Sequence, residues 1–151
     1  ALDAMGAKTT IFTFGNETRL LYGAGDQASA TEVRNLRADG GTNPSDAIEY
    51  GHRILATSQR AHKLFFIMTD GNFGAYSDQT IQQMNKAGVT TTMIYFSRYG
   101  KDESQETLTT VLKNVEGHKC SHKFLAFDAA TFTKGVKTMV TAQIQKALTN
   151  N

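Results

Sequence analysis

One stretch limits the fold of this chain more than any other: Lys63 to Gly71, KLFFIMTDG. Leu64 to Met68 is an unbroken apolar run. Such a run suits a strand buried on both faces, as in a parallel sheet covered by helices. It stops abruptly at Thr69-Asp70-Gly71. A carboxylate at the carboxyl end of a central strand stands where ligands bind in open α/β sheets. A second polar cluster, Gly40-Gly41-Thr42-Asn43-Pro44-Ser45, lies upstream. The sequence raises the question of whether these clusters meet, and for what chemistry.

A length of 151 residues predicts one domain with a sizeable core. The formal net charge is +2, and the 16 Lys and Arg residues form no run. They read as a solvated surface, so neither nucleic acid nor an anionic membrane is expected as a partner. Cys120 is the single cysteine. It excludes an internal disulfide, suggests no zinc site and fits a reducing compartment. His118 and His122 lie near it, but the spacing matches no nucleophile turn, and a bystander thiol is expected. No apolar run approaches the ~18 residues of a membrane helix. The first residues lack the basic and apolar regions of a signal peptide. The expected location is cytoplasmic.

Taken in order, Ala1 to Met5 reads as the end of a helix stopped at Gly6. Lys8 to Phe14 is β-branched and aromatic, and Thr18 to Tyr22 follows it. With Gly15-Asn16-Glu17 between them, they predict a hairpin. Thr31 to Arg37 forms at most a short helix. Asn43 is placed as an N-cap with Pro44 at the first helical position. Ala47, Ile48, Gly51, Ile54 and Leu55 then mark one helix face, ending near Arg60. After the strand Leu64 to Thr69, Ser77 is expected to cap a helix bearing Ile81 and Met84, stopped by Gly88. Val89 to Phe96 reads as a strand and Glu103 to Val115 as a helix. His122 to Phe127 is a short strand, and Asp128 opens a long last helix. Strands alternating with helices imply a parallel sheet, and the hairpin adds one antiparallel edge strand.

Thr42 and Asp70 each stand where a loop meets regular structure. A hydroxyl and a carboxylate are hard oxygen donors of the kind Mg²⁺, Mn²⁺ and Ca²⁺ prefer. Two ligands make no strong site, and the residues read equally as a turn closure and a loop cap. Asp46 and Glu49 could add charge nearby, although an exposed helix face accounts for them. Phe73 and Tyr76 follow Asp70, where an aromatic would suit protein recognition. His52 and His62 read as surface or boundary residues.

Gly-Gly-Thr-Asn before a helix, followed by an apolar strand ending Met-Thr-Asp-Gly, resembles the von Willebrand factor A (vWA) domain. The order of elements agrees over nearly the whole chain. The resemblance implies a doubly wound, Rossmann-like α/β fold: a mostly parallel sheet with helices on both faces. It further implies a metal-ion-dependent adhesion site, with Thr42 as the second-loop ligand and Asp70 as the third. The first loop of that family, Asp-x-Ser-x-Ser, is absent, and Asp3 does not replace it. The strand preceding that loop would lie between Lys8–Phe14 and Leu64–Thr69. The single domain spanning 1–151 is therefore expected to be N-terminally incomplete.

Unpaired backbone groups along such a gap would cost on the order of 1–3 kcal/mol each if buried. A total stability of about 5–15 kcal/mol cannot absorb several. Three outcomes are expected: a fragment, a central strand supplied by an upstream segment or another chain, or direct pairing of the flanking strands. The function implied is a protein–protein interaction module binding a partner's Asp or Glu through the cation, with no enzyme activity. The alternatives are an intracellular subunit of an AAA+ ATPase or metal-chelatase-like complex, and a scaffold that has lost its metal. No His is placed beside Asp70 for hydrolysis.

Overall fold

The computed structural model describes residues 8–23, 43–69, 78–97 and 119–149. The chain divides into two compact units, one of residues 1–51 and 73–76 and the other of 52–72 and 77–151.

In the first unit, β1 (Ile11–Phe14) and β2 (Thr18–Tyr22) form the antiparallel hairpin that their residue types predict. Gly15 N–H donates to Glu17 O at 3.1 Å across the tip. Phe12 faces Leu20 and Phe14 faces Thr18, but Ile11 faces Tyr22, so the register slips by one residue. Such a bulge bends the strand and sharpens its twist. The ring of Phe12 meets Tyr50 edge-on, with centroids 5.4 Å apart.

Tyr50 lies on α1 (Ser45–Thr57). This helix starts as its sequence requires. The Asn43 side-chain oxygen accepts the Ser45 N–H at 3.2 Å, and Ile48 N–H donates to Pro44 O at 2.9 Å. Ala47, Ile48 and Gly51 are the buried face. The helix stops at Thr57, short of Arg60. The Thr57 hydroxyl turns back to the carbonyls of Ile54 and Arg53, and Ser58 takes the Arg60 N–H. Local side-chain bonds of this kind compete with helix continuation.

The second unit holds β3 (Leu64–Thr69), β4 (Thr90–Phe96) and β5 (His122–Ala126), parallel and in that spatial order. It also holds α2 (Gln79–Lys86) and α3 (Ala129–Thr149). The strands fall within one residue of their sequence-based bounds. Thr91 to Tyr95 of β4 are all buried, which makes β4 the central strand. Neighbouring residues on a strand point to opposite faces. Thr91 bonds Asn85 of α2 at 2.7 Å, whereas the Thr92 hydroxyl bonds the Met139 sulfur of α3 at 3.1 Å. The two helices therefore cover opposite faces of the sheet, the doubly wound arrangement.

The helix ends follow from local chemistry. Gly88, with φ of 79°, ends α2. Val89 N–H reaches Met84 O at 3.0 Å and Gly88 N–H reaches Asn85 O at 3.1 Å, the Schellman pattern. Asp128 caps α3: Thr131 N–H donates to its carboxylate at 2.7 Å, and Asp128 N–H donates to the Thr131 hydroxyl at 3.0 Å. The start of α2 differs from expectation. Asp78 occupies its N-cap position with no side-chain cap bond, and its carboxylate accepts the Lys119 N–H at 3.2 Å. Ser77 lies outside the described residues, as do the helices expected at 1–5, 31–37 and 103–115.

Among the described residues, β1 and β2 form one sheet and β3, β4 and β5 another. No helix among them is long and apolar enough to cross a membrane.

Candidate functional site

The three parallel strands end at Thr69, Phe96 and Ala126, so their carboxyl ends form one edge. Open α/β sheets bind ligands outside such an edge. Thr69 is 7% exposed and stands beside Tyr95 in the ladder. Ser97 N–H donates to Ala126 O at 3.1 Å and ties the ends of β4 and β5 together. The next residue after Thr69 in the chain is Asp70. Asp70 and Thr42, the two expected metal ligands, lie outside the described residues, as do Asp3, Phe73 and Tyr76.

The neighbours of these two positions are well defined. Thr69 ends a regular strand that is buried through Phe65, Ile67 and Thr69 on one face, while Met68 on the other is 51% exposed. Among the described residues β3 is not covered on both faces, contrary to what its apolar run suggested, because α2 and α3 pack on β4 and β5. Asn43, directly after Thr42, is held at both ends. Its N–H donates to Gly15 O at 3.0 Å, while its side chain caps α1. Pro44 is buried. The sequence reading found the cap but missed the bond to the hairpin tip. Only the known pairing of β1 with β2 could have pointed to Gly15.

The remaining sequence candidates separate clearly. Asp46 and Glu49 are exposed, in line with a solvated helix face. His52 is half-buried and His62 exposed. Cys120 is 7% exposed, and burial, the largest influence, pushes its thiol up to about 11, with the Thr91 hydrogen bond and Lys123 lowering it and Asp78 raising it. Such a thiol holds its proton at neutral pH and is a poor nucleophile. Beside it, Asn85 accepts the hydroxyl protons of Thr91 and Ser121 at 2.7 and 3.0 Å and donates to Lys119 O at 2.8 Å. Ser121 N–H completes the network by donating to Thr91. These polar groups are mutually satisfied and pin the end of α2 to the chain entering β5. Among the described residues, no three of His, Cys, Asp and Glu gather to hold a metal.

No family model matches the chain, and no curated protein matches it. A solved structure does: the crystal structure of manganese-loaded Plasmodium vivax TRAP protein. The TM-score is 0.51 at 17% identity, over 79% of this chain and 52% of that one. TRAP contains a vWA domain. The fold is vWA-like. This chain thus spans about half the length of the protein it resembles, and at that identity the likeness speaks for the fold alone. The vWA-like frame agrees with the observed run of three parallel strands between helices on opposite faces.

Proposed function

We propose that this chain is a protein-recognition module of the vWA type. Asp70 and Thr42 hold a divalent cation, Mg²⁺ or Mn²⁺ with Ca²⁺ as a further candidate, beyond the carboxyl end of β3. A partner's Asp or Glu takes an open coordination position, and this charge-assisted contact anchors the interface. The remaining metal ligands come from a second segment, upstream or on another chain. No bond of the partner is made or broken.

One observation carries the reading. A vWA-like sheet ends its strand β3 at Thr69, immediately before the acid that the Thr-Asp-Gly motif supplies. The donor chemistry agrees, since a carboxylate and a hydroxyl suit a hard cation that retains waters. The TRAP structure was manganese-loaded, which makes Mn²⁺ the natural probe. Calorimetric titration of the full chain with Mn²⁺ should show binding that weakens by about tenfold or more in Asp70→Ala, the loss of roughly 1.4 kcal/mol. Indistinguishable isotherms for the two proteins would remove the proposal.

A further inference from the structure

The second unit carries a charge asymmetry that the net charge of +2 conceals. It contains twelve Lys and Arg against seven Asp and Glu, whereas the first unit contains four against seven. Asp128 caps α3 near the carboxyl end of the sheet. The opposite, amino-terminal edge is where the basic residues gather.

Parallel register produces the gathering. Lys63 immediately precedes β3, and its carbonyl accepts the Thr90 N–H at 2.9 Å as β4 begins. Lys86 is the last residue of α2, just before the turn into β4. The bond from Asn85 to Lys119 O brings the chain entering β5 against that helix end. His122 then begins β5 opposite Thr92. Lys86, Lys119 and His122 are exposed and Lys63 is half-buried, with exposed Arg60 and His62 just upstream. The stretches 58–63, 86–90 and 119–123 contain no Asp or Glu. Among the described residues one acid, Asp78, stands against this edge, where its carboxylate accepts the Lys119 N–H.

We infer that this amino-terminal edge is a second binding surface, whose ligand is an acidic, extended protein segment. Adjacent strands lie about 4.8 Å apart, so three of them span about 10 Å, the length of roughly three extended residues. The charges are mostly Lys, which act as point charges rather than bidentate forks. The same stretches contain no Phe, Tyr or Trp, so they offer no platform on which nucleic-acid bases could stack. They also present no large apolar side chain for insertion into a lipid surface.

The test is fluorescence anisotropy of a labelled poly-glutamate peptide with the full chain. Binding should be strong at low salt and should weaken as the Debye length falls from about 30 Å at 0.01 M to about 8 Å at 0.15 M. The pair K86E/K119E should weaken it by at least about tenfold. At 0.15 M salt, where the Debye length is about 8 Å, K134E/K137E, an equal charge change on exposed positions of α3, should leave it within about twofold. Because a reversed charge can perturb folding, K86Q/K119Q, checked by circular dichroism, should show a smaller loss in the same direction. EDTA should have no effect, which separates this surface from the cation proposed beyond β3. Absence of peptide binding would overturn the inference, as would equal losses for the two Glu pairs. Tighter binding of single-stranded DNA or phosphatidylserine vesicles than of the peptide would do the same.

Discussion

Cys120 and Thr18 show how single buried atoms shape stability. Burial pushes the Cys120 thiol up to about 11 from the ordinary thiol range. The unfolded chain releases that proton at lower pH than the folded one. Stability is therefore unaffected below about pH 9 and is lost as pH rises from there through about 11. The full loss is on the order of 2–3 kcal/mol. Urea unfolding at pH 7, 9 and 11 should show this fall, and Cys120→Ala should flatten it. Thr18 poses the opposite problem. Its hydroxyl is buried without a hydrogen-bond partner, which leaves a desolvated polar atom in the hairpin. Replacement by the isosteric Val removes that atom and should raise the unfolding free energy by about 1 kcal/mol. A lower thermal midpoint for Thr18→Val would contradict this account.

Among the elements, the contact of α3 with β5 depends on the absence of a side chain. A Cβ at Gly135 would lie 2.5 Å from the Phe124 ring, with two further ring atoms within 2.9 Å. Gly in a helix interior costs about 1 kcal/mol relative to Ala. Overpacking a fitted contact costs typically 1–3 kcal/mol. The second effect is the larger because a Cβ within 3.0 Å of three ring atoms forces the whole Phe124 ring to move. Gly135→Ala should therefore destabilise by about 1 kcal/mol. In a Phe124→Leu background the same change should become neutral or stabilising. The sign of the coupling in that double-mutant cycle decides the matter. Helix ends, by contrast, are settled locally: Asn43, Gly88 and Asp128 stop or start helices through bonds to residues a few positions away.

For the molecule as a whole, the two proposed surfaces at opposite edges of the sheet of the second unit should respond to different conditions. If Asp70 contributes to a cation site, Mn²⁺ at about a hundredfold over its dissociation constant should add roughly 2.7 kcal/mol to stability. That increment should vanish in Asp70→Ala and in EDTA, and should persist in K86E/K119E. Thermal melts of the three proteins with and without Mn²⁺ check it. Peptide binding at the basic edge should follow ionic strength instead.

Much of the architecture was legible in the chain itself. The apolar run from Leu64, the hairpin tip at Gly15-Asn16-Glu17, the stop at Gly88 and the start at Asp128 are set by neighbours in sequence. Periodicity and turn chemistry reach only a few residues, so the sequence alone determined the described strands and helices and their order, while the helices expected at 1–5, 31–37 and 103–115 lie outside the described residues. The Thr42 and Asp70 motifs were equally visible, and they remain motifs, outside the described residues. What only the tertiary structure decided depends on pairing across distance. It bonded Asn43 to Gly15 and placed α2 and α3 on opposite faces through the adjacent Thr91 and Thr92. It also lined up Lys63, Lys86 and Lys119, scattered over 57 positions, at one edge. Parallel register brings the starts of distant strands together, and no local signal in the chain encodes which charges will then be neighbours.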